Sequence, residues 1–361
     1  MERVHNFNAG PAVLPEEVLR EAQADLVNYK GMGLSVMEMS HRSKEYEAII
    51  NEARDAAKRI YGIGDDWDVL FLHGGASLQF LMVPLNFLPE GKIANFIHTG
   101  VWSKKAMAEV KKIGKPLHIA ASSEDKSFSY IPKTYQLSDN PAYLHITTNN
   151  TIYGTEWKRD PDVPKEIPLI ADMSSNFMSK PIDINKYSLI YAGAQKNIGP
   201  AGCAVVLVKK DFLSTGATNL PSMLDYQLHA KNGSLYNTPP CFTIYMIGLV
   251  LKWIEDYGGL AKIEENNKAK AKYIYDVIDA SDGFYRGTVV PEDRSLMNIT
   301  FRLPSEELEN LFVSEAKKNG MIGLKGHRDV GGCRASCYNA LPLKAAYTLA
   351  DFMKNFQKQN G

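Results

Sequence analysis

The stretch SLIYAGAQKNIGPAG, residues 188–202, decides the fold that the sequence predicts. It opens with a short apolar run, 188–193, that favours a β-strand, and it continues into a loop punctuated by glycine and proline. Lys196 lies on that loop, directly after the predicted strand. In a partly desolvated site the pKa of a lysine falls, and the neutral amine can form a Schiff base with a carbonyl compound. The alternative is a solvated lysine on a surface turn, which is the commoner situation for this residue type.

Apolar strand-like runs alternate with helical segments in both directions from this stretch. Two predicted helices, 16–29 and 44–61, come first. Seven runs are predicted strands: 69–72, 93–98, 117–120, 143–147, 169–172, 189–192 and 203–208. This alternation predicts an α/β fold in which helices cover both faces of a mostly parallel seven-stranded sheet.

The C-terminal part of the chain predicts a second, smaller α/β domain. A long helical stretch, 243–281, leads into it and is interrupted by two glycines at 258 and 259. The smaller domain contains a predicted strand, 297–302, and predicted helices near 305–319 and 343–358.

Three segments of the sequence resemble those of the phosphoserine aminotransferase family, whose members are fold-type I, class V enzymes that use pyridoxal 5′-phosphate (PLP). They are FNAGPAVLP at 7–15, AGAQKNIGPAG at 192–202 and GGCRASCYNALP at 331–342. The likeness therefore runs nearly the length of the chain. It implies the fold-type I architecture, with a large PLP-binding domain over 16–258 and a small domain formed by 1–15 and 259–361. It also implies that Lys196 is the amine that binds PLP.

Asp172 ends the predicted strand 169–172, and open α/β sheets bind ligands at that edge. An acid there can keep the pyridine nitrogen of PLP protonated, whereas the alternative is a helix N-cap.

The segment HGGASLQF, residues 73–80, follows a predicted strand and opens a helix. Its two glycines and the free N–H groups at the helix start suit a phosphate, although glycines after a strand commonly mark only a turn. The resemblance favours the cofactor role for Asp172, and it assigns the phosphate contact to Ala76 and Ser77.

Three more residues are cofactor contacts by resemblance. Trp102 would stack on the pyridine ring, Thr151 would bond the ring hydroxyl, and Gln195 lies beside the cofactor lysine. Without the resemblance, Trp102 would be interpreted as a core residue, and Thr151 and Gln195 as ordinary polar loop residues.

Cationic residues supply the predicted substrate site. His41-Arg42 and His327-Arg328 can each offer donors to a phosphate, and Arg334 can pair with a carboxylate in a bidentate manner. For a single His-Arg pair, the alternative is that both side chains are solvated on the protein surface. Together the residues fit a substrate that carries both a phosphate and a carboxylate, and the resemblance implies these roles.

The resemblance further implies a homodimer with shared active sites. In the family, Asn237 and Thr238 contact the neighbour's cofactor phosphate, and His41-Arg42 enter the neighbour's substrate pocket. The residues alone indicate only a turn at Pro239-Pro240 and an arginine on a loop.

Composition and charge exclude several classes of function. Of the 361 residues, 45% are hydrophobic and 23% are charged, as in an ordinary globular protein. Lysine plus arginine equals aspartate plus glutamate at 41 each, so no overall basic field predicts nucleic acid or membrane as a partner. The start, MERVHNF, lacks the apolar core of a signal peptide, and the longest apolar run, 241–251, is too short to span a bilayer. We expect a cytoplasmic protein whose four cysteines are reduced.

Cys333, Cys337 and His327 lie close enough in sequence to raise the alternative of a zinc site. Their spacing lacks the Cys-x-x-Cys pairs of structural zinc sites, and no second pair follows. We therefore expect no metal.

The resemblance implies reversible amino transfer between O-phospho-L-serine plus 2-oxoglutarate and 3-phosphooxypyruvate plus L-glutamate, a step of serine biosynthesis. Bacterial members also act on 4-phosphohydroxy-L-threonine in pyridoxine biosynthesis. One alternative is another class V enzyme, such as alanine–glyoxylate aminotransferase or cysteine desulfurase, for which Cys333 or Cys337 would be the mobile acceptor. A second alternative is a catalytically silent PLP-fold binding protein.

Overall fold

The computed structural model describes residues 3–361. Within them the strands are, in chain order, β1 (His5–Asn6), β2 (Trp67–His73), β3 (Ile93–His98), β4 (Leu117–Ser122), β5 (Pro141–Thr147), β6 (Leu169–Asp172), β7 (Leu189–Gly193), β8 (Cys203–Lys209), β9 (Arg286–Gly287), β10 (Asn298–Arg302), β11 (Met321–Ile322) and β12 (Cys333–Ser336).

The central sheet contains seven of these strands in the order β2-β8-β7-β6-β5-β3-β4. β8 pairs antiparallel with both β2 and β7, and the other neighbouring strands pair in parallel. The prediction of an α/β fold with a mostly parallel seven-stranded sheet is confirmed. Each of the seven predicted runs lies within an observed strand.

The helices that accompany the strands are, in chain order, α1 (Glu16–Asp25), α2 (Lys44–Tyr61), α3 (Gly75–Phe87), α4 (Val101–Lys112), α5 (Lys210–Ser214), α6 (Tyr226–Lys231), α7 (Cys241–Asp256), α8 (Gly259–Asp279), α9 (Glu306–Lys318) and α10 (Leu343–Asn360). The glycines at 258 and 259 separate α7 from α8 as predicted. Both have positive φ angles, +109° and +74°, which glycine adopts without steric cost. Among the helices of the described chain, none combines the length and apolar character that crossing a membrane requires.

The prediction that the first helix extends to residue 29 is wrong, because α1 ends at Asp25. The side chain of Asn28 accepts a 2.7 Å hydrogen bond from the backbone N–H of Gly33, and the N–H of Tyr29 donates to the carbonyl of Leu34. These local bonds compete with helix formation and turn the chain back on itself.

The strands of the central sheet are buried on both faces, which explains their nearly continuous apolar sequences. Along β2, Val69 and Phe71 join a core cluster with residues of α2 and α7. Leu70 and Leu72 point to the opposite face and join a cluster with residues of α3 and α4. Helices therefore cover both sides of the sheet, as the sequence predicted.

Six strands have their carboxyl ends at one edge of this sheet, and the five other than β4 position the predicted site. β3, β5, β6 and β7 run parallel, and β2 shares their direction because both β2 and β7 are antiparallel to β8. These five strands end there at His73, His98, Thr147, Asp172 and Gly193. Each predicted cofactor segment except Asn237-Thr238 ends or follows one of these strands, so the fold brings those segments together.

A third apolar cluster is built from α8, α9 and α10 around the antiparallel strands β10 and β12. The N-terminal segment joins it, because β1 pairs in parallel with β11 and Phe7 is one of its buried members. This packing supports the predicted small domain, whose boundary at residue 258 stays a prediction. Residues 1 and 2, which that domain was predicted to include, lie outside the described residues.

Candidate active site

Lys196 lies on the turn after β7 with a side chain that is 9% exposed. Its Nζ atom donates a 2.7 Å hydrogen bond to Oγ1 of Thr151, on the turn after β5. Burial lowers the pKa of Lys196 to about 8; the Asp172 carboxylate opposes this effect, and the Arg334 guanidinium adds to it. The alternative of a solvated surface lysine is therefore wrong. The amine is suited to nucleophilic attack near neutral pH.

Asp172 is the last residue of β6 and is buried. The backbone N–H and the hydroxyl of Ser174 both donate to its Oδ1 atom, at 2.9 and 2.6 Å, so Oδ2 remains available for another donor. Burial raises the pKa of Asp172, whereas the Ser174 bonds and the Lys196 amine lower it. The residues that follow form turns, so the alternative of a helix N-cap is wrong.

Ser174 also connects two strands, a role that the sequence analysis missed. Its hydroxyl oxygen accepts a 3.0 Å hydrogen bond from the backbone N–H of Gly193, the last residue of β7. The carboxylate of Asp172 and the start of the Lys196 turn are therefore held in register by one hydroxyl group.

A cavity of about 390 Å³ lies at this edge of the sheet, and six of the predicted cofactor residues line it. They are Ala76, Ser77, Trp102, Asp172, Gln195 and Lys196. Thr151 is not among the lining residues, but it contacts the cavity's amine through the hydrogen bond to Lys196.

The start of α3 forms one wall of the cavity. Gly74 precedes the helix at a φ of +78°, and no side chain caps the first N–H groups. A Cβ atom at Gly74 would lie 2.7 Å from the side chain of Leu78, so the tight turn requires glycine. The uncapped N–H groups and the positive end of the helix dipole suit a phosphate group.

The polar groups of the cavity fit PLP. Nε1 of Trp102 and Oε1 of Gln195 are buried and have no hydrogen-bond partner within residues 3–361, so both are available to a ligand. The indole offers a flat surface for a ring, and Oδ2 of Asp172 offers an acceptor for a protonated ring nitrogen. With the start of α3 for the phosphate and Lys196 for the aldehyde, the lining provides a group for each functional part of PLP.

The N-terminal loop packs directly on Lys196, which the sequence analysis did not predict. A Cβ atom at Gly10 would lie 3.3 Å from Cγ of Lys196, and the N–H of Ala12 donates a 2.9 Å bond to the carbonyl of Gln195. The hydroxyl of Tyr338 donates a 2.9 Å bond to the carbonyl of Ala9 and so holds this loop in place. No local pattern in the sequence indicates that this loop covers Lys196.

Arg334 lies on β12, a strand that the sequence analysis did not predict. Its Nη1 atom donates a 3.1 Å hydrogen bond to the carbonyl of Thr151, whereas its Nε atom is buried and has no partner within the described chain. The free Nε is available to a carboxylate beside the cavity.

His327 and Arg328 lie on the turn before β12. Arg328 has a side chain that is 91% exposed and is 3.5 Å from the Asp329 carboxylate. Burial lowers the pKa of His327, and the positive charges of Arg334, Arg328 and Lys105 lower it further, whereas Asp329 raises it. The imidazole is therefore mainly neutral at physiological pH.

None of the five predicted substrate residues lines this cavity, and neither do Asn237 and Thr238. His41 and Arg42 lie on the turn before α2, and Thr238 is exposed. The side-chain nitrogen of Asn237 donates to Nε2 of His73 at 3.0 Å, next to the turn that leads into α3. Their roles across a dimer interface stay predictions.

The four cysteines are free thiols, and Cys333 and Cys337 are buried. Burial raises the pKa of both thiols, and Cys333 is fixed in β12. Neither thiol is placed as the mobile, reactive acceptor that a desulfurase needs. Within the described part of the chain, no group of three or more His, Cys, Asp and Glu side chains is arranged to hold a metal ion.

Comparisons with known proteins agree with this geometry. The family model of class-V aminotransferases matches residues 4–342. A phosphoserine aminotransferase of Desulfosudis oleivorans is 57% identical over 361 residues, covering 100% of this chain and 99% of that protein. A solved phosphoserine aminotransferase structure from Bacillus circulans subsp. alkalophilus is similar with a TM-score of 0.97, 52% identity and full coverage of both chains. A solved structure of PLP-bound phosphoserine aminotransferase from Trichomonas vaginalis has a TM-score of 0.92 and 40% identity, covering 98% of this chain and 100% of that one.

Proposed function

This chain belongs to the class-V aminotransferase family, and from that membership we propose that it catalyses the phosphoserine aminotransferase reaction with PLP as its cofactor. The reaction transfers the amino group reversibly between O-phospho-L-serine plus 2-oxoglutarate and 3-phosphooxypyruvate plus L-glutamate, as a step of serine biosynthesis. The observation that carries the proposal is the full-length identity of 57% to a protein of that activity, together with a buried, low-pKa amine in the cavity.

Lys196 is the proposed catalytic residue. Its neutral amine would hold PLP through the cofactor's aldehyde, and the same amine is placed to take or return a proton at the substrate's Cα. PLP, when bound, would supply an electron-withdrawing ring that stabilises negative charge on Cα. Asp172 would keep the ring nitrogen protonated, and Ser174 fixes that carboxylate in place.

The remaining roles in the site follow from charge and position. Trp102 would pack on the ring of PLP, the start of α3 at Ala76 and Ser77 would bind its phosphate, and Thr151 and Gln195 would orient the ring. Arg334 binds the substrate carboxylate, because its Nε atom has no partner within residues 3–361. His327 and Arg328 bind the substrate phosphate. A site built to pair an anion rejects an analogue that lacks it by about 10⁴–10⁵, so free serine should be a poor donor.

We further propose a cytoplasmic homodimer in which each active site is completed by its neighbour. His41 and Arg42 would enter the neighbour's substrate site, and Asn237 and Thr238 would contact the neighbour's cofactor phosphate. The assignment rests on the family resemblance. The exposed positions of Arg42 and Thr238 support it, since both side chains are open to contact with a neighbouring subunit.

An amino-donor screen tests the proposed reaction. The PLP-loaded protein is given 2-oxoglutarate with phosphoserine, serine, alanine or cysteine, and the glutamate formed is measured. We expect kcat/KM for phosphoserine to exceed that for each other donor by several orders of magnitude. A preference for alanine or cysteine would indicate a different class V activity, and binding of PLP without turnover of any donor would indicate a silent binding protein. Adding 4-phosphohydroxy-L-threonine to the screen tests the role in pyridoxine biosynthesis.

A further inference from the structure

Lys105 is a cation beside the cavity to which none of the roles above has been assigned. It lies on α4, three residues after Trp102 and so on the same face of the helix. Its Nζ atom is 4.7 Å from the centre of the Trp102 ring, and Nζ of Lys196 is 5.3 Å from the same ring. Lys105 is exposed and does not itself line the cavity, but its ammonium group contacts a tryptophan that does.

Lys105 has no carboxylate partner within residues 3–361. Glu109 lies one turn further along α4, but it pairs with Lys112 at 2.7 Å and forms no ion pair with Lys105. Lys105 is also close enough to His327 to lower the pKa of that imidazole, as Arg328 and Arg334 do. Asp329 is the acid among these groups, and it already contacts His327 and Arg328 at 3.6 and 3.5 Å.

The charge required by the substrate exceeds what the assigned residues of one subunit supply. A phosphate monoester carries about −1.5 to −2 charges at pH 7. Because burial keeps His327 mainly neutral, that side chain offers a hydrogen bond but little charge, and Arg328 is largely exposed to solvent. A flexible lysine is well suited to add to the charge that Arg328 and the neighbour's Arg42 would supply, since it binds phosphate as a point charge.

We propose that Lys105 is a specificity-determining residue that pairs with the phosphate group of the substrate, opposite His327 and Arg328. This inference rests on the proposed phosphoserine aminotransferase function. The side-chain carboxylate of glutamate carries a single negative charge where phosphoserine carries its phosphate. Lys105 therefore stabilises bound glutamate less than bound phosphoserine. Lys105 therefore favours the phosphorylated donor rather than amino donors in general.

A purely local role is the competing explanation, because an ammonium group over an indole also stabilises that ring's position. In that case Lys105 would act through Trp102 and the cofactor, and its loss would affect every donor and the binding of PLP alike. The two explanations therefore differ in which kinetic constant changes and for which donor.

The test compares Lys105→Gln with Lys105→Arg and with Lys104→Gln, which removes the adjacent exposed lysine of the same helix. For each PLP-loaded variant, kcat and KM are measured with phosphoserine and with glutamate, together with the dissociation constant of PLP and inhibition by inorganic phosphate. For Lys105→Gln we expect kcat/KM for phosphoserine to fall about tenfold to hundredfold, mainly through KM, as for loss of one charge-assisted hydrogen bond. The inhibition constant of phosphate should rise in parallel. Glutamate kinetics and PLP affinity should change less than threefold, and Lys105→Arg should retain most of the wild-type preference.

Two results would overturn the assignment. If Lys105→Gln behaves like Lys104→Gln toward phosphoserine and phosphate, Lys105 does not bind the substrate phosphate. If both donors and PLP affinity decline equally, Lys105 acts through Trp102. A wild-type protein that does not use phosphoserine at all would instead overturn the proposed function and this inference with it.

Discussion

The Nζ atom of Lys196 donates a 2.7 Å hydrogen bond to the hydroxyl of Thr151, and the carbonyl of the same threonine accepts a 3.1 Å bond from Arg334. Thr151, a single residue on the turn that follows β5, therefore connects the proposed cofactor amine to the proposed carboxylate-binding arginine. The substrate's amino and carboxylate groups sit on the same carbon atom, so the two protein groups that receive them have to be neighbours. Thr151 fixes that spacing.

The lowered pKa of Lys196 predicts how the cofactor-free protein captures PLP. Only the neutral amine attacks the aldehyde, and burial brings the pKa of Lys196 to about 8. The capture rate should therefore rise with pH below about 8 and level off above it. For an ordinary lysine, with a pKa of about 10.4, the capture rate would continue to rise through pH 10. The rates of PLP capture are measured from pH 6.5 to 9.5 by absorbance. Nα-acetyl-lysine, whose ε-amine is free, is the control for pH effects on PLP itself. A rate that climbs throughout, as for the control, would show that the amine is not desolvated.

Ser174→Ala should impair the reaction through Asp172. The variant loses the 2.6 Å bond from the hydroxyl to Oδ1 and the link to Gly193. Because that bond lowers the pKa of Asp172, its loss raises the pKa, and the acid limb of the kcat profile should shift to higher pH. We expect kcat to fall about tenfold to hundredfold, the effect of losing one hydrogen bond to a charged group.

Two further variants separate this positioning role from a general loss of structure. Ser174→Thr keeps the hydroxyl and should retain most activity. Ser179→Ala removes a nearby buried hydroxyl that bonds the carbonyl of Asn176 and should leave the acid limb in place. An unchanged acid limb and PLP affinity in Ser174→Ala would mean that Ser174 does not tune Asp172.

Arg334→Ala should weaken both amino donors, because phosphoserine and glutamate share the α-carboxylate. Removing one member of a largely buried charged pair costs about 2–5 kcal/mol, which would appear in kcat/KM for both. Arg328→Ala should affect phosphoserine more than glutamate, although the side-chain carboxylate of glutamate can use the same cations. Unchanged kcat/KM for both donors in Arg334→Ala would rule out the carboxylate role.

Parts of this site could be predicted from sequence because they depend on local pattern. Asp172 and Lys196 each end or follow an apolar run, and in a parallel sheet the carboxyl ends of the strands meet at one edge. The same reasoning located the start of α3 from the two glycines after β2. The strand pattern placed these residues at one edge of the sheet, and the family resemblance decided between their cofactor roles and the alternatives.

Other parts depend on contacts between distant segments, which no local pattern encodes. The packing of Gly10 against Lys196 and the bond from Tyr338 to Ala9 join residues that are far apart in the chain. The end of α1 was misjudged because the bond from Gly33 to Asn28 outcompetes a periodicity that favours a helix. β12 has four residues and directly follows Gly331 and Gly332, a pattern more typical of a loop than of a strand.

The dimer proposal predicts that two defective variants complement each other. Lys196→Ala removes the cofactor amine, and Arg42→Ala removes the proposed contact to the neighbour's substrate. After subunit exchange, about half of the dimers are hybrids, and each hybrid has one site with Lys196 and a borrowed Arg42 both intact. Roughly a quarter of wild-type activity should therefore return. Each variant alone is the control, and no gain after verified exchange would mean that Arg42 does not act across an interface.

The lysine that carries the cofactor can be identified directly by borohydride reduction of the PLP-loaded protein, digestion and mass spectrometry. Lys270 provides an internal comparison: burial lowers its pKa to about 7, but its amine bonds the carbonyls of Tyr338 and Asn339. We expect the added mass on the peptide that contains Lys196, and we expect Lys196→Ala to lack both the label and turnover. A label on Lys270 or any other lysine, or a label that persists in Lys196→Ala, would contradict the assignment of Lys196 as the cofactor amine.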